Sequence, residues 1–138
     1  MKNILVIDAQ GGGLGKQIIQ ALVDKKIKAD ITAVGTNATA TASMLKAGAK
    51  EGATGENAVI VCSKKADVIV GPLGIVIADS MLGEITPKMA VAIGQSDAER
   101  VLIPMNQCCN MVVGVEENSI KEMVTKAVNA VEGLLVNA

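Results

Sequence analysis

The chain contains no phenylalanine, tyrosine, tryptophan or histidine, and each absence removes a class of chemistry. Without histidine there is no imidazole base and no usual zinc ligand set, so no metal site is expected. Without tyrosine there is no phenolic acid. Without aromatic rings there is no platform on which nucleobases stack, nor the ring sandwich that often holds a flavin. Cysteine is scarce: Cys62, Cys108 and Cys109 are odd in number and form no C-x-x-C pair, which argues against a disulfide framework. They read as structural thiols. A thiolate nucleophile at Cys108-Cys109 would need a helix end or a lysine, in place of histidine, to lower its pKa.

Charge of one sign is also missing. The net charge is −1 with no long basic or acidic block, which removes the electrostatic basis for binding nucleic acid. Long hydrophobic runs are absent. Ile4–Ile7 is too short for the core of a signal peptide. Val68–Ala78, the longest uncharged apolar stretch, has about half the residues of a membrane span and is interrupted by Gly71, Pro72 and Gly74. These features predict a cytoplasmic chain with no membrane partner.

What remains is 138 residues, 50% apolar and only 20% charged. That length suits a single domain over residues 1–138, burying roughly 70% of its unfolded surface. The apolar surplus predicts a homo-oligomer that covers a further patch. Asn3–Asp8 (NILVID) is a continuous apolar run ending in an acid, as a buried parallel strand reads. Leu14–Lys26 has helical spacing at Leu14, Ile18, Ile19, Leu22 and Val23. A second strand is expected at Asp30–Gly35, a third at Asp67–Gly71, a fourth at Arg100–Met105 and a fifth at Met111–Val115. Helices are expected at Ala38–Ala47, at Glu56–Lys65 (where Ala58–Cys62 also reads as a strand), at Ile75–Leu82, from Thr86-Pro87 to Gly94, and from Ser119 to about Leu135. Strands alternating with helices predict an α/β fold. It should be a doubly wound, mostly parallel sheet of about five strands in a Rossmann-like three-layer sandwich, with the first strand central.

Between the first strand and the first helix lies Asp8-Ala9-Gln10-Gly11-Gly12-Gly13-Leu14-Gly15-Lys16. Glycines there permit positive φ and close approach of a ligand to the backbone. The unpaired N–H groups and positive dipole end of the helix then face that ligand. The other reading is a tight turn with close helix–sheet contact, but four glycines in five residues exceed what a turn requires. The loop resembles the short-chain dehydrogenase signature T-G-x-x-x-G-x-G at Gly13 and Gly15. Asp8 and Ala9 replace its Thr and first Gly, and that family's catalytic tyrosine has no counterpart. It also resembles a Walker A ending in Gly15-Lys16, with Gln10 in the first-glycine place and Gln17 where a Mg²⁺-binding hydroxyl would stand.

In open parallel sheets the ligand crevice lies beyond the carboxyl ends of the strands. Those ends carry Gly35, Thr36 and Asn37, Gly71–Gly74, and Asn106-Gln107, residues that turns also favour. The acid that dinucleotide sites place after the second strand is replaced by Gly35-Thr36-Asn37, which weakens ordinary NAD recognition. The candidate binding set is therefore Gln10, Gly11, Gly12, Gly13, Leu14, Gly15, Lys16, Gly35, Thr36, Asn37, Gly71 and Asn106. Candidate reactive groups are Asp8, Lys16, Asp79 and Glu84, with Asp79 and Glu84 read either as a pair or as surface charges.

The segments IDAQGGGLGK, AVGTNATAT, MLKAGAKEGATGENA, GPLGIVIADSMLGEITPKMA and VLIPMNQC resemble a family of short bacterial proteins described as domain of unknown function 3842. The resemblance runs nearly end to end. It implies a small stand-alone cytoplasmic protein and brings no activity, cofactor or catalytic residues with it.

Three functions compete at this stage. The first is a binding protein for a phosphorylated small molecule, with NAD(P) or another nucleotide as candidate cofactor. The second is a small enzyme using the carboxylates and lysine of the sheet edge. The third is a structural or regulatory homo-oligomer with no ligand. The missing aromatics supply a direct test. The purified chain should be almost silent in the near-ultraviolet. A nucleobase band that leaves with a small molecule on denaturation would establish the first; a silent spectrum would exclude a tightly held nucleotide.

Overall fold

The computed structural model describes residues 1–105 and 110–136. The NILVID run forms β1 (Asn3–Asp8) in the middle of a parallel sheet. β2 (Asp30–Gly35) pairs along one edge, Asn3 opposite Asp30 through Asp8 opposite Gly35, and β4 (Val68–Pro72) along the other. β3 (Glu51–Thr54) extends the sheet beyond β2 and β5 (Glu99–Ile103) beyond β4, giving the order β3-β2-β1-β4-β5 with every pairing parallel. The chain thus winds outward from β1 in one direction and then returns to wind in the other. The expected doubly wound, Rossmann-like architecture is present, with the first strand central.

The period of two along the strands builds both layers of the core. Ile4, Val6, Ile31, Ala33, Val68 and Val70 face one side. There they meet α1 (Gly13–Asp24), Met44 of α2 (Ala38–Ala47) and α5 (Ile120–Val136). Leu5, Ile7, Val34 and Ile69 face the other side, against Val59 of α3 (Glu56–Lys65) and Met89 and Ile93 of α4 (Pro87–Gln95). Glu56–Lys65 is thereby settled as a helix. Both core layers consist of aliphatic side chains and methionine, so they interdigitate without ring stacking. Asn37 caps α2 and Thr86 caps α4 ahead of its proline, as those residue types favour.

Three expectations are corrected. Ile75–Leu82 is not a helix: a short 3₁₀ turn covers Leu73–Val76, and Asp79, Met81 and Leu82 then take φ of 66°, 54° and 58°, which no right-handed helix accommodates. The apolar spacing there reflects Ile75 and Ile85, both wholly buried from an irregular segment. Met111–Val115 is not a strand. Gly114 turns with φ 85°, and Met111 and Val113 are about nine-tenths exposed rather than paired. The fifth strand is instead Glu51–Thr54, which is largely exposed and so carries no hydrophobic alternation.

The junction between β1 and α1 is fixed by a buried carboxylate. Asp8 accepts the Ala9 N–H on Oδ1 at 2.8 Å and the Gly15 N–H on Oδ2 at 2.7 Å. A Cβ on Gly15 would stand 2.5 Å from Met44 Sδ and 3.0 Å from Asp8 Cβ, so glycine lets α1 approach both β1 and α2.

Two stability outcomes follow from these contacts. Leu22 is wholly buried in the α1 layer, and Leu22→Ala should cost about 2–5 kcal/mol in urea unfolding; a cost below ~1 kcal/mol would contradict that packing. Burial raises the Asp8 carboxyl above its ordinary 3.8, against the lowering effect of the Gly15 and Ala9 N–H groups. The native state therefore holds this proton more tightly than the unfolded chain. The stability this confers is complete below about pH 4 and is lost as the pH climbs through the raised native value. Asp8→Asn, which does not titrate, should gain on the parent in urea midpoint as the pH rises above about 4. A gap that stays constant with pH would show that burial does not govern Asp8.

Candidate functional site

The carboxyl ends of β1 and β4, where the winding reverses, open onto a pocket of about 150 Å³ lined by Asp8 through Leu14, Pro72, Gly74, Met81 and Met105. Such a switch point is where open α/β sheets bind ligands. The volume is below the ~300–1,000 Å³ of drug-sized sites, so it suits one group of a ligand whose remainder lies outside.

The glycines around this pocket divide into two kinds. A Cβ on Gly12 (φ 74°) would reach within 2.8 Å of the Ala40 backbone. On Gly35 it would meet Thr41, and on Gly71 the Ile7 carbonyl oxygen at 2.5 Å. These residues, with Gly15, are glycine because the chain itself fills the space. A Cβ on Gly11 or Gly13 would meet nothing within 4 Å, and both residues are exposed. Their N–H groups make no hydrogen bond among the described residues. The loop is closed from within by Gly12 N–H donating to the Ala9 carbonyl at 3.0 Å. Gln10, in the position where a G-x-G-x-x-G loop has its first glycine, takes φ 52°.

The two acidic groups are placed differently from each other. Asp79 is exposed, and its N–H donates to the Ile85 carbonyl. Glu84 reaches instead to the end of β2. Its Oε1 accepts from Thr36 Oγ1 at 2.6 Å, Asn37 Nδ2 at 2.8 Å and the Gln10 N–H at 2.8 Å. The Thr36 hydroxyl, followed by the Gln10 N–H and Asn37, holds the Glu84 carboxyl below the usual range. Asn37 also donates to the Gln10 carbonyl, while its Oδ1 caps α2. Thr36, Asn37 and Gln10 are thus brought together around a carboxylate of the chain.

Leu14 is buried and lines the pocket, whereas Lys16 is exposed and does not. Asn106, Cys108 and Cys109 lie outside the described residues. Met81 and Met105 also wall the pocket, a role for which apolar residues in an irregular segment carry no sequence signal. The reach of Glu84 had one sign in the sequence, the absence of any acid after β2. Among the described residues no group of three metal-binding side chains comes together, and no helix is long and apolar enough to cross a membrane.

No curated protein matches the chain in sequence. Among solved structures it is similar to a dodecameric FMN-dependent Ubix-like decarboxylase from Escherichia coli O157:H7. The two are 18% identical with a TM-score of 0.47, over 96% of this chain and 76% of that one. The family model described as Domain of unknown function (DUF3842) matches residues 3–136; the nearly end-to-end resemblance to that family is borne out, and the chain belongs to it.

Proposed function

We propose that the chain binds the phosphate group of a small molecule, a nucleotide being the leading class, at Gly11–Gly13. One observation carries this reading: the exposed N–H groups of Gly11 and Gly13 lack partners among the described residues, beside a pocket at the switch point. The start of α1 adds its dipole, worth about 0.3–1 kcal/mol per interaction with a nearby anion. Asp8 limits the site by taking the Gly15 N–H, so the phosphate would be met by the outer turn of the loop. Proton binding at Asp8, which burial favours, would lessen repulsion of an incoming anion.

A second reading draws support from the same carboxyl. Asp8 lines the pocket and holds a raised pKa, as a general acid–base group would require. In that reading the chain is a small enzyme acting beside the bound phosphate. Self-association belongs with either reading, because Met111 and Val113 expose apolar side chains, and the outer edge of β5 has no strand partner among the described residues.

Gly13→Val provides the test. A Cβ there meets nothing within 4 Å, at a position without positive φ, so the fold should tolerate the change while the approach to the loop is blocked. Titration calorimetry with pyrophosphate should show binding to the parent and at least a roughly tenfold loss in Gly13→Val. Equal binding by both, or none by the parent at millimolar concentration, would overturn the reading.

A further inference from the structure

We propose that Glu84 is the acceptor for vicinal hydroxyl groups, so that the ligand is a phosphate ester of a polyol, either ribosyl or ribityl. This rests on phosphate binding at Gly11–Gly13 and assigns what lies next to the phosphate. Dinucleotide folds place an acid after the second strand to receive ribose hydroxyls. Here β2 ends in Gly35-Thr36-Asn37 without one. Glu84 brings a carboxylate to that place from the segment between β4 and α4, bonding both Thr36 and Asn37.

The way Glu84 is held separates its two oxygens. Oε1 takes all three donors, from Gln10, Thr36 and Asn37. Oε2 makes no hydrogen bond among the described residues, and the side chain is partly exposed. The brace between the loops is thus made by one oxygen alone, and the other stays free to accept from a ligand. The segment is held for this purpose from both sides. Ile85 is wholly buried, its carbonyl accepts the Asp79 N–H, and the Glu84 N–H donates to the Met81 carbonyl. The intervening Asp79, Met81 and Leu82 keep left-handed backbone conformations that side chains ordinarily avoid.

Charge then selects the ligand group. An ionised carboxylate repels phosphate and accepts hydrogen bonds from neutral hydroxyls. A ligand spanning both places carries its anion at the glycine loop and its hydroxyls at Glu84. The same repulsion excludes a second phosphate on those hydroxyls.

Calorimetry on the full chain tests this with inorganic phosphate, ribose 5-phosphate, 2-deoxyribose 5-phosphate, adenosine diphosphate and riboflavin 5′-phosphate. Ribose 5-phosphate should bind roughly tenfold more tightly than its 2-deoxy analogue. In Glu84→Gln that difference should vanish, because the amide keeps an oxygen for the three donors but turns the other end into a donor. Inorganic phosphate should bind this variant no more weakly than the parent. Whichever of adenosine diphosphate and riboflavin 5′-phosphate binds roughly tenfold more weakly to Glu84→Gln than to the parent names the source of the hydroxyls, and loss by neither overturns the assignment. If phosphate and both pentose phosphates bind alike, the hydroxyl assignment fails while the phosphate site stands. If nothing binds, both fail. The deoxy comparison on the parent chain decides the matter even if Glu84→Gln does not fold.

Discussion

The hold of Asp8 on the Gly15 N–H sets the geometry on which the carboxyl edge depends. It ties the first turn of α1 to the last residue of the central strand, at a contact too close for any side chain on Gly15. With that end fixed, the chain between them has to turn sharply, and Gln10 and Gly12 absorb the turn at positive φ. Gly11 and Gly13 are left on the outside. The loop is therefore open at two residues because it is tightly packed at two others. A carboxylate on a helix N-terminus is favourable by the dipole, while its burial at 5% exposure works against the charged form. The opposing contributions meet at one carboxyl, whose two oxygens hold this short connection together.

The same edge carries two carboxyls driven in opposite directions. Asp8 is raised because it is buried; Glu84 is lowered because three donors converge on it near solvent. Two acids close enough to influence each other are thus kept distinct by their surroundings. One is pushed toward its protonated form and the other toward its ionised form.

Much of this fold is legible along the chain where burial is regular. NILVID, DITAVG and the stretch around Val68–Val70 are buried strands and read as such, and the amphipathic spacing of α1 and α5 follows from their packing on one face. Legibility fails where burial comes without periodicity. Ile75 and Ile85 fill the core from a segment with neither α-helix nor strand, and β3 pairs through its backbone with hardly any buried side chain to announce it. Met111–Val115 has the composition of a strand, and Gly114 turns it away. At the site the glycine run was visible, but its division into packed and open positions depends on Ala40, Met44 and Thr41, which lie beyond any local pattern. The reach of Glu84 across 48 residues to Thr36 is likewise a property of the winding.

The order β3-β2-β1-β4-β5 also has a consequence for synthesis on the ribosome. The segment 3–54 supplies β1, β2 and β3, one whole side of the sheet, and can begin pairing as it emerges. The second edge of β1 receives its partner only when Val68–Pro72 follows. Until then the central strand of the chain presents unpaired amides and a bare face, the kind of surface that promotes aggregation in nascent chains. The aliphatic core layer that α5 completes must wait longer still, for Ile120–Val136. The nascent chain therefore depends on how quickly its second half follows the first.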